Sequence, residues 1–304
     1  MDMLGEALLP LMKYVNMPNA SEVLVNRFRE VIVETADNEK RKYKADRLDK
    51  DYFKSLSLML SNMNDIKGFD LKPILYIPLP GLHRLTLGIG PFVESGITVS
   101  IRVGRRQRFT LPQFNATPEQ IAIIAAAVRE KKNIVVSGGT FTGKTQFINA
   151  VLLLLDPDER VISAQDVPEL DLEHIDNRVG FQLNQHEMEL KVTYNDVISM
   201  STRLRPDRII VGELTISNAW SLLRLLNNGQ GGLMTTVHAN SPEMVFSAIA
   251  RNVQLAGFPL EGVNEFFREN IDMIIQLQRN HYTNTREVAD IYFREDPNRS
   301  ARAA

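Results

Sequence analysis

Gly138-Gly-Thr-Phe-Thr-Gly-Lys-Thr145 stands between a strand-like and a helix-like stretch, and that placement decides how the second half of the chain is read. Before it runs Asn133-Ile-Val-Val-Ser137, short and β-branched, and after it residues 146–155 keep helical spacing up to Asp156-Pro157. A glycine-rich loop so placed turns successive backbone N–H groups and the positive end of a helix dipole toward one point, where a polyphosphate can sit. Gly138, Gly139, Thr140, Phe141, Thr142, Gly143, Lys144, Thr145 and Gln146 are therefore the expected nucleotide-binding residues. Lys144 would reach the β- and γ-phosphates, and the Thr145 hydroxyl would ligate Mg²⁺. The alternative, a glycine turn that holds only stray anions, is disfavoured by the strand and helix on either side.

Working outward, the same half alternates strands and helices. Strands are expected at 134–137, 161–164, 208–211 and 233–237, with further ones at 271–277 and 288–293. Helices are expected near 144–155, 194–204, 217–227 and 242–254, after one that starts at Thr117-Pro-Glu-Gln, a capping-box signal, and runs to about 131. This order calls for an α/β unit with a mainly parallel sheet and its chemistry at the carboxyl ends of the strands. The first hundred residues differ: helical spacing over 1–15 and 51–63, and short β-rich runs around 23–25, 31–33, 74–77, 84–89 and 97–103 separated by Pro and Gly turns. They read as a smaller α+β domain with an antiparallel sheet. The division is 1–103, a basic linker at 104–116, and 117–304, with a polar tail from 294 expected to fray.

Bulk properties set limits. The 304 residues suffice for two cores, and 35 Lys and Arg against 37 Asp and Glu give no whole-chain attraction for nucleic acid. The cluster Arg102, Arg105, Arg106 and Arg108 has little aromatic interleaving, so it reads as a solvated linker or the neighbour of an acidic patch. Direct nucleic-acid binding is disfavoured. The absence of cysteine excludes disulfides and cysteine zinc sites. With no signal pattern and no apolar run of spanning length, the expectation is a cytoplasmic protein with no integral membrane segment.

Three more segments sharpen the phosphate chemistry. Leu204-Arg-Pro-Asp-Arg-Ile-Ile-Val-Gly-Glu213 is a strand that delivers Glu213 to the phosphate-facing edge, where a carboxylate can orient an attacking water. Val161-Ile-Ser-Ala-Gln-Asp-Val-Pro-Glu-Leu170 ends in Asp166 and Glu169, which either face the metal or merely solvate a turn. Gly229-Gln-Gly-Gly-Leu-Met-Thr-Thr-Val-His-Ala-Asn-Ser241 places His238 at a fourth strand end, as a γ-phosphate sensor or as a packing residue. Arg203 and Arg205 bind either phosphate or a neighbouring subunit.

Together these motifs resemble the secretion-superfamily traffic ATPases, most closely the hexameric ATPases of type IV secretion systems, over nearly all of the second domain. The resemblance implies a RecA-like phosphate-loop domain, a homo-hexamer, ATP and Mg²⁺ as ligands, and work with other components of an inner-membrane secretion machine, at which the protein would be held peripherally. It also implies catalytic roles for Lys144, Glu213 and His238, and for Arg84 and Arg102 of the first domain, which match positions from which relatives reach the nucleotide. Metal contacts are implied for Thr145, Asp166 and Glu169. Three positions depart from the pattern: Phe141 where relatives carry Gly, Gln165 in place of Glu, and Thr215 where Arg is common. None removes Lys144, Thr145, Glu213 or His238, so binding of Mg·ATP is expected to survive. A pilus extension or retraction ATPase and a ring scaffold with little hydrolysis are the competing readings.

Overall fold

The computed structural model describes residues 3–37, 39–81, 83–104, 108–183, 192–229, 231–259, 261–280, 283 and 285–294. Arg105 and Arg106 of the basic cluster, and the tail from 295, lie outside the described residues. The chain divides into two compact units that part between Gln107 and Arg108.

The first unit contains α1 (Met3–Val15), β1 (Ala20–Val25), β2 (Glu30–Thr35), β3 (Lys40–Lys44), α2 (Lys50–Met63), β4 (Ile74–Leu79), β5 (His83–Ile89) and β6 (Ile97–Arg102). Its six strands pair antiparallel in the order β3-β2-β1-β6-β5-β4. Alternate residues such as Val23, Val31, Leu85 and Val99 point to one side of the sheet and pack with Leu8 and Leu11 of α1 and Phe53 and Leu60 of α2. Lys40-Arg-Lys-Tyr-Lys44 carries no strand signal in the sequence. It pairs as an edge, and its lysines meet acids of β2, Lys40 to Glu34 and Lys42 to Glu30 at 2.7 Å each.

The second unit contains α3 (Pro118–Arg129), β7 (Ile134–Gly138), α4 (Lys144–Leu152), β8 (Val161–Gln165), β9 (Arg178–Gln182), α5 (Tyr194–Ser201), β10 (Arg208–Val211), α6 (Ala219–Asn227), β11 (Met234–Val237), α7 (Pro242–Leu255), α8 (Val263–Asn270), β12 (Met273–Arg279) and β13 (Arg286–Phe293). The sheet order is β13-β12-β7-β11-β10-β8-β9, parallel throughout except for the antiparallel β12–β13 pair at one edge. Strand residues alternate between two cores. Ile134, Val136, Ile210, Met273 and Ile275 pack with α3 and α4, whereas Val135, Ile209, Val211 and Ile274 pack with α5 to α8. Helices on both faces are why these strands read as unbroken apolar runs.

Thr117 caps α3 as the sequence predicts, with Gln120 N donating to Thr117 Oγ1 at 3.1 Å and Thr117 N donating to Gln120 Oε1 at 2.9 Å. Within the stretch read as a linker, the part from Arg108 lies in the second unit. There a 3-10 turn over Leu111–Phe114 buries Leu111 and Phe114 in the α3–α4 core. Strand β9 and helix α8 have no counterpart in the sequence reading: β9 alternates exposed and half-buried residues, and α8 is one polar turn pair anchored by Phe267. Helix α4 stops at Leu152, three residues short of the expected end, and α5 at Ser201, where a 3-10 turn over Thr202–Leu204 takes over.

At the amino end of β10 lies a buried ion pair. Arg208, 1% exposed, donates through Nε and Nη2 to the Glu159 carboxylate and through Nη2 to the Val128 carbonyl at 2.5 Å. This ties the end of α3 to the sheet. Removing the acid strands a charge in the interior, so Glu159→Ala should cost about 3–5 kcal/mol in urea unfolding. The pair Glu159→Leu with Arg208→Met should lose distinctly less; equal losses would show that shape rather than charge dominates there.

Candidate nucleotide-binding site

Because β7, β11, β10 and β8 are adjacent and parallel, their carboxyl ends open at one edge. Residues 139–143 follow β7, Asp166 follows β8, Glu213 lies two residues past β10, and His238 directly follows β11. Four segments distant in sequence therefore deliver polar groups to one rim.

The loop is fitted to its strand by small residues. A Cβ on Gly138 would stand 2.6 Å from Thr142 Oγ1 and 2.9 Å from the Leu277 carbonyl, and Thr142 Oγ1 itself donates to the Gly139 carbonyl at 3.0 Å. Gly143 caps α4 at φ +87, a left-handed conformation that suits glycine. Phe141 takes φ +61 without being glycine, and its ring is 70% exposed, so it points away from the loop's interior. Among the described residues, no backbone N–H from Gly139 to Gly143 donates to another protein atom. Unspent amides beside a helix start fit an anion such as the phosphates of ATP.

Lys144, only 8% exposed, uses its three N–H groups on the Gly138 carbonyl (3.1 Å), the Gly139 carbonyl (3.0 Å) and His238 Nδ1 (3.0 Å). An ammonium can only donate, so Nδ1 accepts and the His238 proton sits on Nε2. Nε2 in turn donates to Glu213 Oε1 at 2.8 Å. The expected Lys144, His238 and Glu213 are thus brought into one hydrogen-bonded row. Burial lowers the Lys144 pKa from the usual lysine value, with the Glu213 charge acting in the opposite direction. Glu213 and His238 line an open cleft of about 540 Å³ together with Thr215, Ser217 and Arg251, so water reaches the carboxylate.

Several supporting contacts leave little trace in the sequence. Asn218 Nδ2 donates to the Glu213 carbonyl at 2.8 Å while its Oδ1 accepts from Thr215 N at 2.9 Å, fixing the chain after β10. Buried Gln276 accepts from Ser137 Oγ at 2.7 Å and donates to the Ala239 carbonyl at 3.3 Å, clipping β7 and the His238 segment to β12. Gln165 Oε1 accepts from the amides of Glu169 and Leu170 at 2.9 and 3.0 Å, so at this position the side chain closes a loop.

The other expected residues lie as follows. Asp166 Oδ1 accepts from the Tyr194 hydroxyl at 3.0 Å, and burial, then the Asp166 charge, push the tyrosine pKa well up. Among the described residues no cluster of three or more His, Asp or Glu could hold a metal ion. That is compatible with Mg²⁺, which is commonly held by one or two protein oxygens plus phosphates and water, and Thr145 stands in the first turn of α4. Arg84 and Arg102 belong to the first unit, where they face each other across β5 and β6. Arg108 is taken by Asp171 at 2.6 Å and Glu173 at 3.3 Å, the acidic neighbours the sequence left open. Arg203 lines a small cavity with Asn195 and Arg224, and Arg205 ends the 3-10 turn in a left-handed conformation.

A mainly parallel sheet flanked by helices, with a glycine-containing strand–loop–helix turn after β7, defines an α/β protein. The sequence model of the family described as "Type II/IV secretion system protein" matches residues 6–292, and the chain belongs to that family. It is 27% identical over 324 residues to the "Type IV secretion system protein VirB11" of Brucella suis biovar 1, covering 95% of this chain and 89% of the relative. With the "Conjugal transfer protein TrbB" of Rhizobium radiobacter it shares 32% identity over 219 residues, 69% of this chain and 65% of the relative. Among solved structures it is similar to the VirB11 ATPase of the Brucella suis type IV secretion system in complex with sulphate, at 26% identity and a TM-score of 0.53, covering 99% and 97% of the two chains.

The lowered pKa of Lys144 has a signed consequence. Folding disfavours its charged form, so stability is withheld below the folded pKa and recovered as pH climbs toward the usual lysine value. Thermal unfolding of wild type and Lys144→Met across the alkaline range should show the difference moving in wild type's favour as pH rises. A pH-independent difference would contradict the buried, charged assignment.

Proposed function

We propose that the chain is an ATP-hydrolysing motor that energises substrate transfer or pilus assembly in a type IV secretion or conjugation apparatus, built on a RecA-like phosphate-loop domain. The row Lys144–His238–Glu213 beside unspent loop amides carries this reading, with support from the family and from a VirB11 structure that holds sulphate. A phosphate oxygen arriving at Lys144 competes with His238 Nδ1 for the same proton. As Lys144 turns to the phosphate, His238 loses its partner and Glu213 is left to orient water from the open cleft toward the γ-phosphorus. Mg²⁺, ligated through Thr145 Oγ1 with Asp166 or Glu169 behind its water shell, would spread the charge on the leaving phosphates. Phe141, with its ring turned outward, leaves the cradle open to Mg·ATP. Arg84 and Arg102 are the further proposed arginines for the nucleotide, on the family resemblance of their positions. Assembly is a homo-hexamer, held at an inner-membrane machine by other components. No described helix is long and apolar enough to cross a membrane.

Phosphate release measured beside Lys144→Ala and Glu213→Gln tests the motor. Glu213→Gln should lower turnover about 10²-fold or more while keeping ATP binding, and Lys144→Ala should lose both. Wild-type turnover no higher than that of the variants would leave a nucleotide-binding scaffold. Light scattering with Mg·ATP should give a mass near six copies; a persistent monomer would count against a ring of either kind.

A further inference from the structure

Arg286 opens β13, far in sequence from every motif above, yet its side chain lies on the phosphate loop. A Cβ placed on Gly143 would come 2.8 Å from Arg286 Cδ and 3.1 Å from Arg286 Nε, and 3.4 Å from the Phe114 ring. Nε is buried and has no hydrogen-bond partner. The backbone holds the residue in place, since Asn115 Nδ2 donates to the Arg286 carbonyl at 3.2 Å and Arg286 pairs in register with Arg279. Its pKa is lowered by burial and then by the Arg279 charge, with no carboxylate offsetting either, and Arg286 makes no ion pair among the described residues. Like charges directly opposite on a ladder are unfavourable, and a buried donor without an acceptor costs free energy. A purely structural filler for the space beside Gly143 would not need a guanidinium.

We infer that Arg286 is a further nucleotide-binding residue, whose guanidinium takes a non-bridging oxygen of the polyphosphate held by residues 138–145. This rests on the nucleotide reading above. A planar fork suits phosphate oxygens, and the ligand supplies an acceptor and a negative charge for the buried Arg286 Nε. The β12–β13 hairpin then becomes one wall of the site. Its contact lies on the flank of the loop at Gly143, apart from the Lys144–His238–Glu213 row.

Calorimetric titration of the full chain with ATP and with inorganic tripolyphosphate tests this, comparing wild type, Arg286→Met and Arg286→Lys. Met keeps the aliphatic packing on Gly143 and Phe114 and removes the charge. It should weaken both ligands roughly 10- to 100-fold, with a melting temperature without ligand no lower than wild type's. Arg286→Lys should recover part of the affinity, which a packing role would not predict. Arg286→Met binding both ligands as wild type does would overturn the inference while leaving the nucleotide site intact. Loss of ATP but not of tripolyphosphate affinity would place the contact on base or sugar and overturn the phosphate assignment. No binding of either ligand by wild type would instead remove the nucleotide reading, and this inference with it.

Discussion

A nearly buried ammonium must be ringed by acceptors, and at Lys144 the protein meets that demand with two loop carbonyls and one imidazole nitrogen. The requirement organises the rim. It fixes the His238 tautomer, which sends the remaining ring proton to Glu213, and so joins the ends of β7, β11 and β10. None of those acceptors is a carboxylate, so the lysine charge is solvated but not neutralised. The three acceptors hold the cation still without cancelling its charge.

Polar groups deeper in the sheet make that arrangement rigid. Gln276 joins Ser137 to Ala239 beneath the loop, and Asn218 holds the carbonyl of Glu213. At the opposite end of β10 the Arg208–Glu159 pair fastens the strand to α3. The hydrogen-bonded rim and the ionic anchor thus sit at two ends of one four-residue strand, and displacement at either end is resisted by the other.

Much of this was legible in the chain itself. The β-branched run before Gly138, the helical spacing after Lys144, and the Arg-Pro-Asp-Arg-Ile-Ile-Val-Gly-Glu stretch each announce an element by local pattern, and the parallel order then brings their ends together. What stayed hidden depends on partners. Strand β3 is a charged edge laddered to β2, whose acids meet its lysines; β9 is an edge with only half its residues covered; α8 is too polar and short to signal a helix. Gln276 sits in a stretch that reads only as a strand and Arg286 just before one, and their contacts with Ser137 and Gly143 span well over a hundred residues of sequence. Phe114, in a stretch that reads as a tether, turns out to be core because an aromatic beside Pro112 closes a 3-10 turn onto α4.

Strand β7 divides its side chains between two cores, with Val135 on one face and Ile134 and Val136 on the other, and it runs into the loop without a spacer. One residue inserted or deleted there would exchange the layers and also rotate Gly138 away from Thr142 and Leu277. Drift in chain length across this family should therefore accumulate in the connections on the amino side of the sheet, while the count of residues from Ile134 to Thr145 stays fixed.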